Sequence, residues 1–412
     1  MALIKSFNAI RPVKELADRV AELPYDVVDS AEARQIASDN ECSFFYITKA
    51  EIGMPPETNI YDSSVYEAAR DNLNEFIKKG RLVQDDEPLL YLYTLLMDGR
   101  SQTGLAACVS IDDYMAERVK KHELTREDKE KDRTLHIDIS EANTGLVFLI
   151  YREDGSKRPL FERGLTIAPE YDFTAPDGVR HTIRLIRDRE LIKSFEDAFA
   201  GDILYIADGH HRAASAVRVG RQRREADPDF TGGEEFNFFL SVIFPDNELA
   251  ILPYNRAVKD LNGYTEDLFM DRLYRSFDVK DDGFKTPVKR GNISMYFKGR
   301  WYTLAPLFPI KDDPVDSLDV KILQDHLLQP ILGIDNPRTD ERIKFIGGIR
   351  GTRELEKLVD SGENAVAFSM YPTSIHELMK VADAGKIMPP KSTWFEPKLR
   401  DGLLVHSIKR NL

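Results

Sequence analysis

Leu89-Leu90-Tyr91-Leu92-Tyr93-Thr94-Leu95-Leu96 is a strand-sized run that meets Asp98-Gly99 and resumes over residues 103–111. Two β-rich runs around an Asp-Gly turn read as an antiparallel hairpin, since the tight turn needs positive φ at residues that tolerate it. The same pattern recurs over 171–186 around Pro176-Asp177-Gly178, over 236–252 around Pro245-Asp246-Asn247, and over 293–304 around Lys298-Gly299-Arg300. Helical spacing marks 31–38, 64–79, 188–200, 212–219, 266–275 and 374–384. Hairpins interspersed with helices predict a mixed α+β fold with largely antiparallel sheets, and speak against a doubly wound parallel sheet.

The chain has 412 residues, 42% hydrophobic and 31% charged, enough for a sizeable core and more than one average domain. The 57 basic and 70 acidic residues leave a net charge of −13. Non-specific nucleic-acid affinity comes mostly from cationic neutralisation of phosphates, so no nucleic-acid partner is expected. Cys42 and Cys108 sit in apolar surroundings and read as buried thiols; with no CxxC, a thiolate zinc site is excluded. The N-terminal residues lack the apolar core of a signal peptide, and the longest apolar runs (89–97 and 144–151) are far short of a bilayer span. A cytoplasmic protein with no membrane partner is expected. The polar stretch from Gly220 to Pro228, continuing to Gly232-Gly233, suggests a division into 1–230 and a second α+β lobe, 231–412, that completes a cleft.

The chemistry concentrates in 203–220. Ile203-Leu204-Tyr205-Ile206-Ala207 reads as a buried strand, Asp208-Gly209 as a turn, and the residues from His210 as a helix, with Gly220 its expected C-terminal stop. The first amides of such a helix have no intrahelical acceptor, and together with the macrodipole they favour a phosphate. Gly209 allows close backbone approach, Arg212 offers a bidentate contact, and His210 and His211 tend to stay neutral beside the positive helix end.

This segment, Ala207-Asp208-Gly209-His210-His211-Arg212-Ala213-Ala214, resembles the nucleotide-binding strand–turn–helix of the ParB and sulfiredoxin superfamily. Within it the resemblance is to free serine kinases, which carry a similar Asp-Gly-His-x-Arg run. Over residues 7–404 the chain also resembles the family called domain of unknown function 1015. The blocks that carry this are Pro24-Tyr25-Asp26-Val27-Val28, Lys121-His122-Glu123-Leu124-Thr125, the 207–214 segment and Met388-Pro389-Pro390-Lys391-Ser392-Thr393. The resemblance implies a ParB/sulfiredoxin-like nucleotide-binding core, with Asp208, Gly209, His210 and Arg212 on the phosphates of ATP or ADP, accompanied by Mg²⁺. It also implies an acidic residue near the N-terminus that takes the proton of a serine hydroxyl. Asp26 matches that position, although the kinases have glutamate there and a shorter spacing between the blocks.

Within 120–138, His122, Arg126, Lys129, Arg133 and His136 follow a 4-3-4-3 spacing, which would stack them on one helical face as an anion-binding wall. Glu123 could act there as an acid or base, but the segment is no HExxH motif because Arg126 stands at the second histidine position. Lys391, after two prolines, could reach an anion, yet no Walker loop, GxGxxG or GxSxG occurs. The expected function is phosphotransfer on a small hydroxylated metabolite, serine or phosphoserine first. Asp26, Glu123 and His211 are the catalytic candidates; Asp208, Gly209, His210, Arg212, His122, Arg126, Arg133 and Lys391 are the phosphate or nucleotide ligands. No residue is assigned to a resident metal. The alternatives are a non-enzymatic ParB-like nucleotide-binding regulator and a metal-assisted phosphatase or hydrolase.

Overall fold

The structure, a computed structural model, describes residues 4–409. Two compact units make up the chain: Met1–Leu249 with Pro397–Leu412, and Ala250–Glu396.

The first unit is built on a nine-stranded sheet. Its order is Val119–Lys120, Leu204–Asp208, Val147–Tyr151, Phe238–Pro245, Arg100–Ser110, Leu90–Met97, Arg180–Ile186 and Tyr171–Thr174, with Ile4–Lys5 also paired to Arg100–Ser110. The expected hairpins at Asp98-Gly99 and Pro176-Asp177-Gly178 form, pairing Leu90–Met97 with Arg100–Ser110 and Tyr171–Thr174 with Arg180–Ile186. Asp98 and Gly99 take φ of 51° and 77°, the left-handed conformations that tight turn requires. Two pairings of the sheet are parallel: Val119–Lys120 with Leu204–Asp208, and Val147–Tyr151 with Phe238–Pro245. The mixed α+β expectation is met.

The expected hairpin over 236–252 is not formed. Phe238–Pro245 is flanked on one edge by Arg100–Ser110 and on the other by Val147–Tyr151, so it has no edge left for the strand that follows it. Ala250–Leu252 pairs instead with Trp394–Glu396, within the second unit. The same pairings place Phe238–Pro245 in the first unit, so the division falls after Leu249 where the sequence suggested 230. The chain returns to the first unit at its end, where Val405–Ser407 lies between Ala9–Pro12 and Ala142–Asn143 in a small four-stranded sheet.

Helices form where the spacing predicts: Ser30–Ala37, Ser63–Lys78, Arg189–Phe199, Glu266–Tyr274 and Ile375–Asp383. Asp29, Asp62, Asp188, Thr265 and Ser374 cap them by accepting first-turn amides. The helix after Asp208 runs His210–Ala226, past the expected stop at Gly220. Gly220 has a packing role instead: a Cβ there would sit 2.4 Å from the Phe236 carbonyl oxygen and 2.6 Å from Ile111. This helix covers the sheet with Ala213, Ala216 and Val217, against Val147, Leu149, Leu204 and Ile206. Each fully buried aliphatic side chain of that layer contributes ~1.5–3 kcal/mol.

The second unit has a six-stranded sheet, ordered Phe277–Lys280, Arg300–Pro306, Ile293–Phe297, Val366–Ser369, Tyr254–Val258 and Ile343–Gly347. Its hairpin around Lys298-Gly299 is the one expected. Leu355 and Leu358 of Gly351–Asp360 pack on Ala257, Trp301 and Ala367 of the sheet. Cys42 and Cys108 are both buried free thiols. Among the described residues no helix is long and apolar enough to cross a membrane.

Candidate functional site

Leu204–Asp208 is buried through Ala207 and lies between the parallel edge strand Val119–Lys120 and antiparallel Val147–Tyr151. It delivers Asp208 and Gly209 to the end of the sheet. Gly209 is the N-cap of His210–Ala226, at φ 94° and ψ 29°, a left-handed conformation that any other residue would take at a cost. No side chain caps this helix, in contrast to the five named above. Its first intrahelical bond runs from Ala213 N–H to the Gly209 carbonyl, which leaves the opening amides available to a ligand.

Asp208 does not cap the helix. Its Oδ1 accepts from the Gly209 N–H at 2.9 Å, and its Oδ2 meets the Lys398 ammonium at 3.1 Å. Burial opposes ionisation of this carboxyl, but Lys398 and Arg212 outweigh it and hold Asp208 below the usual carboxylate range. Arg212 is buried, donates Nη1 to the Leu146 carbonyl and lies 3.9 Å from Asp208 Oδ1. Burial works against its charge, yet Asp26, Asp208 and Asp401 together keep it firmly protonated.

The histidines attach to the loop 121–126 and not to the apolar core. The Arg126 N–H donates to His211 Nε2 at 3.0 Å, and the His122 N–H approaches His210 Nε2 at 3.5 Å. The His122 and His210 rings meet edge-on at 4.5 Å, and His210 Nδ1 lies 3.9 Å from Glu123 Oε2. Burial, reinforced by His122, holds His210 well below its ordinary pKa; burial alone brings His122 down to about 4 against the pull of the Ile206 carbonyl. Burial also lowers His211, opposed by nearby Asp26. Burial therefore favours the neutral form of all three imidazoles, whereas the sequence reading gave the positive helix end as the reason for His210 and His211.

The cationic wall expected over 120–138 is only partly formed. The helix there spans Glu127–Ser140 with Arg126 as its N-cap, so His122 lies outside it and Lys129, Arg133 and His136 remain on it. The acidic first turn, Glu127, Asp128 and Glu130, suits the positive helix end and sets the start after Arg126. Lys129 donates to the Tyr61 hydroxyl at 3.1 Å and Arg126 pairs with Asp128 at 2.7 Å. Arg133 is paired to Asp132 at 2.9 Å and lies 4.1 Å over the Tyr25 ring.

Asp26 is exposed, in the turn closed by the Val27 N–H on the Pro24 carbonyl, and its charge acts on His211, Arg212 and Asp401. The structure therefore brings Asp26, Asp208, Gly209, His210, His211 and Arg212 into one neighbourhood. Lys391 belongs to the second unit, where its ammonium lies 5.4 Å over the Tyr254 ring.

Two residues of the site escaped the sequence reading: Lys398 and Asp401. The backbone of Asp401 exchanges two hydrogen bonds with Glu22, at 2.9 and 3.1 Å, which sets its side chain near Tyr25 and Asp26. Gly145 separates Asp401 from Arg212: a Cβ there would lie 3.1 Å from Arg212 Cδ and 3.3 Å from Asp401 Oδ1. Both Asp401 oxygens are buried without a close hydrogen-bond partner among the described residues. Burial pushes this carboxyl up to about 7, Arg212 opposes the rise and Asp26 adds to it. A cavity of about 20 Å³ opens among Tyr25, Arg133, His136, Arg212 and Asp401, room for a water-sized group. No local pattern announces Asp401, since its role depends on pairing with a segment nearly four hundred residues earlier.

The family model described as "Protein of unknown function (DUF1015)" matches residues 4–321, a span that begins in the first unit and ends in the second. A search of curated proteins finds no match. Among solved structures the chain is similar to a free serine kinase variant in complex with AMP, at 13% identity and a TM-score of 0.39, over 73% of this chain and 92% of that one. It is similar to a conserved hypothetical protein from Pyrococcus furiosus at 14% identity and a TM-score of 0.36, over 73% and 95%. It is also similar to C-terminally truncated SbnI from Staphylococcus aureus at 12% identity and a TM-score of 0.40, over 74% and 90%.

Proposed function

This chain belongs to the family described as "Protein of unknown function (DUF1015)", and on that premise we propose that it transfers a phosphoryl group to or from a small hydroxylated metabolite. The observation that carries the reading is the gathering of Asp26, His211 and Arg212 at an uncapped helix opening. Unpaired amides and a buried, firmly charged guanidinium suit a phosphate group. A carboxylate beside them suits a hydroxyl that must lose its proton.

Arg212 and the amides of His210 and His211 would hold the phosphate, and Gly209 would let it approach the backbone. Asp26 would take the proton as the substrate oxygen attacks phosphorus and the bond to the leaving oxygen breaks. His211, neutral and with Nε2 engaged by Arg126, would present an N–H at Nδ1 toward the developing charge. Serine or phosphoserine is the first substrate pair to test and ADP or ATP the first nucleotides, on the resemblance of the Asp-Gly-His-His-Arg run to free serine kinases. A bound nucleotide supplies the phosphoryl group, and Mg²⁺, an ion that prefers oxygen ligands, would ride on its phosphates.

The test is incubation of the full chain with Mg²⁺, serine and ADP or ATP, and in parallel with phosphoserine. Transfer or release of phosphate that is lost in Asp26→Asn with melting unchanged, and in His211→Ala with the chain still cooperatively folded, supports the reading. Tight nucleotide binding without turnover on any hydroxylated metabolite favours a nucleotide-gated regulator instead.

A further inference from the structure

We infer that His122, Glu123 and His210 form a binding site for a borderline divalent transition metal of the Zn²⁺ class. The two histidines offer one imidazole nitrogen each and Glu123 a carboxylate oxygen, all within 4.8 Å of one another, and they are the one such cluster among the described residues. Zn²⁺ bond lengths of ~2.0–2.2 Å put tetrahedral donors ~3.3–3.6 Å apart. The His210 Nδ1 to Glu123 Oε2 separation of 3.9 Å is close to that, and a metal at Nδ1 would move that ring's proton to Nε2 at the expense of the 3.5 Å approach of the His122 N–H.

The second observation is a buried orphan. His122 is 2% exposed, and its Nδ1 has no hydrogen-bond partner. The ring does bond to the Ile206 carbonyl, so by elimination that bond belongs to Nε2. An imidazole that donates from one nitrogen to a backbone carbonyl and keeps the other as a bare lone pair is oriented as metal-bound histidines are. An ordinary core histidine would satisfy both nitrogens, because an unmet buried polar atom costs ~1–3 kcal/mol. The His122 ring meets the His210 ring edge-on at 4.5 Å, with a nitrogen of each within 4.8 Å of the other.

The position in the fold agrees. His122 and Glu123 follow the edge strand Val119–Lys120, and His210 follows Leu204–Asp208; those strands are parallel, so both chains leave the sheet at the same end. Ligands of open sheets gather beyond the carboxyl ends of parallel strands. Two imidazoles and a carboxylate favour Zn²⁺, Co²⁺ or Ni²⁺ over Mg²⁺, which demands oxygen. Three protein ligands leave a fourth position for water or a phosphate oxygen. The site stands on its own donors and does not depend on the phosphotransfer reading; if that reading holds, Glu123 is a ligand and Asp26 the base.

To test this, the full chain is stripped with a chelator and titrated with Co²⁺, followed by its visible d–d absorption, while ADP binding is measured in parallel. One Co²⁺ per chain is expected, displaced by Zn²⁺ and untouched by excess Mg²⁺. Glu123→Gln and His122→Gln are each expected to weaken binding at least ~10-fold and to shift the absorption. Glu123→Gln changes a half-exposed group, so melting identical to wild type confirms that its loss is local. Failure to bind Co²⁺ at millimolar concentration, or unaltered binding in both variants, overturns the site. Intact ADP binding with no Co²⁺ binding overturns it while leaving the phosphotransfer reading in place.

Discussion

The backbone N–H of Arg126 donates to Nε2 of His211 at 3.0 Å, so the loop 121–126 hangs from the first turn of the helix His210–Ala226. That bond fixes the histidine's tautomer, with its proton on Nδ1. It also couples the order of the loop to a residue in the uncapped first turn of that helix.

His211→Ala is expected to release the loop and to cost ~0.5–1.5 kcal/mol of stability, the worth of one hydrogen bond. Hydrogen exchange at the Arg126 amide should quicken by ~10-fold relative to wild type. His211→Asn, whose side-chain oxygen can still accept, should retain part of the protection. Equal exchange in all three proteins would show that the bond does not order the loop.

Arg212 is the counter-charge for three carboxylates, Asp26, Asp208 and Asp401. Arg212→Ala should therefore destabilise by ~3–5 kcal/mol in urea melts, because it strands buried negative charge. Adding Asp401→Asn should recover ~1–2 kcal/mol of that loss, a coupling expected of residues in one network. Strict additivity of the two changes would show that they do not share charge.

Asp401 predicts a pH dependence with a definite sign. Its carboxyl is raised from 3.8 to about 7 in the folded chain, so the folded state holds a proton that the unfolded state has given up. Its contribution is full below pH 4 and is lost as pH rises toward 7. Glu22, raised by burial to about 7, acts in the same direction. Asp401→Asn should flatten the melting-temperature profile between pH 4 and 7 and stabilise the protein at pH 8 by on the order of 2–4 kcal/mol. A parallel downward shift at all pH values would refute the assignment.

Gly220→Ala sets two effects against each other. Alanine favours the helix interior by ~1 kcal/mol over glycine. Its Cβ, however, would meet the Phe236 carbonyl at 2.4 Å, and a backbone oxygen cannot swing aside. Overpacking of this kind costs ~1–3 kcal/mol, so net destabilisation is expected in thermal melts. A raised melting temperature would mean that the helix shifts to accommodate the methyl group.

Much of what neighbours in the chain govern was legible beforehand. Asp98-Gly99 dictated its hairpin, helical spacing located the long helices, and Ile206-Ala207-Asp208-Gly209-His210-His211-Arg212 announced a strand, a turn and a polar helix start. These follow from φ preferences and side-chain periodicity, which act over a few residues. Three features were decided by the tertiary structure: the partner of Ala250–Leu252, the helical continuation through Gly220, and the arrival of Lys398 beside Asp208 and of Asp401 near Arg212. Each turns on which strand edge or cavity wall is already taken, and that is settled by burial and hydrogen bonding between segments as distant as Glu22 and Asp401.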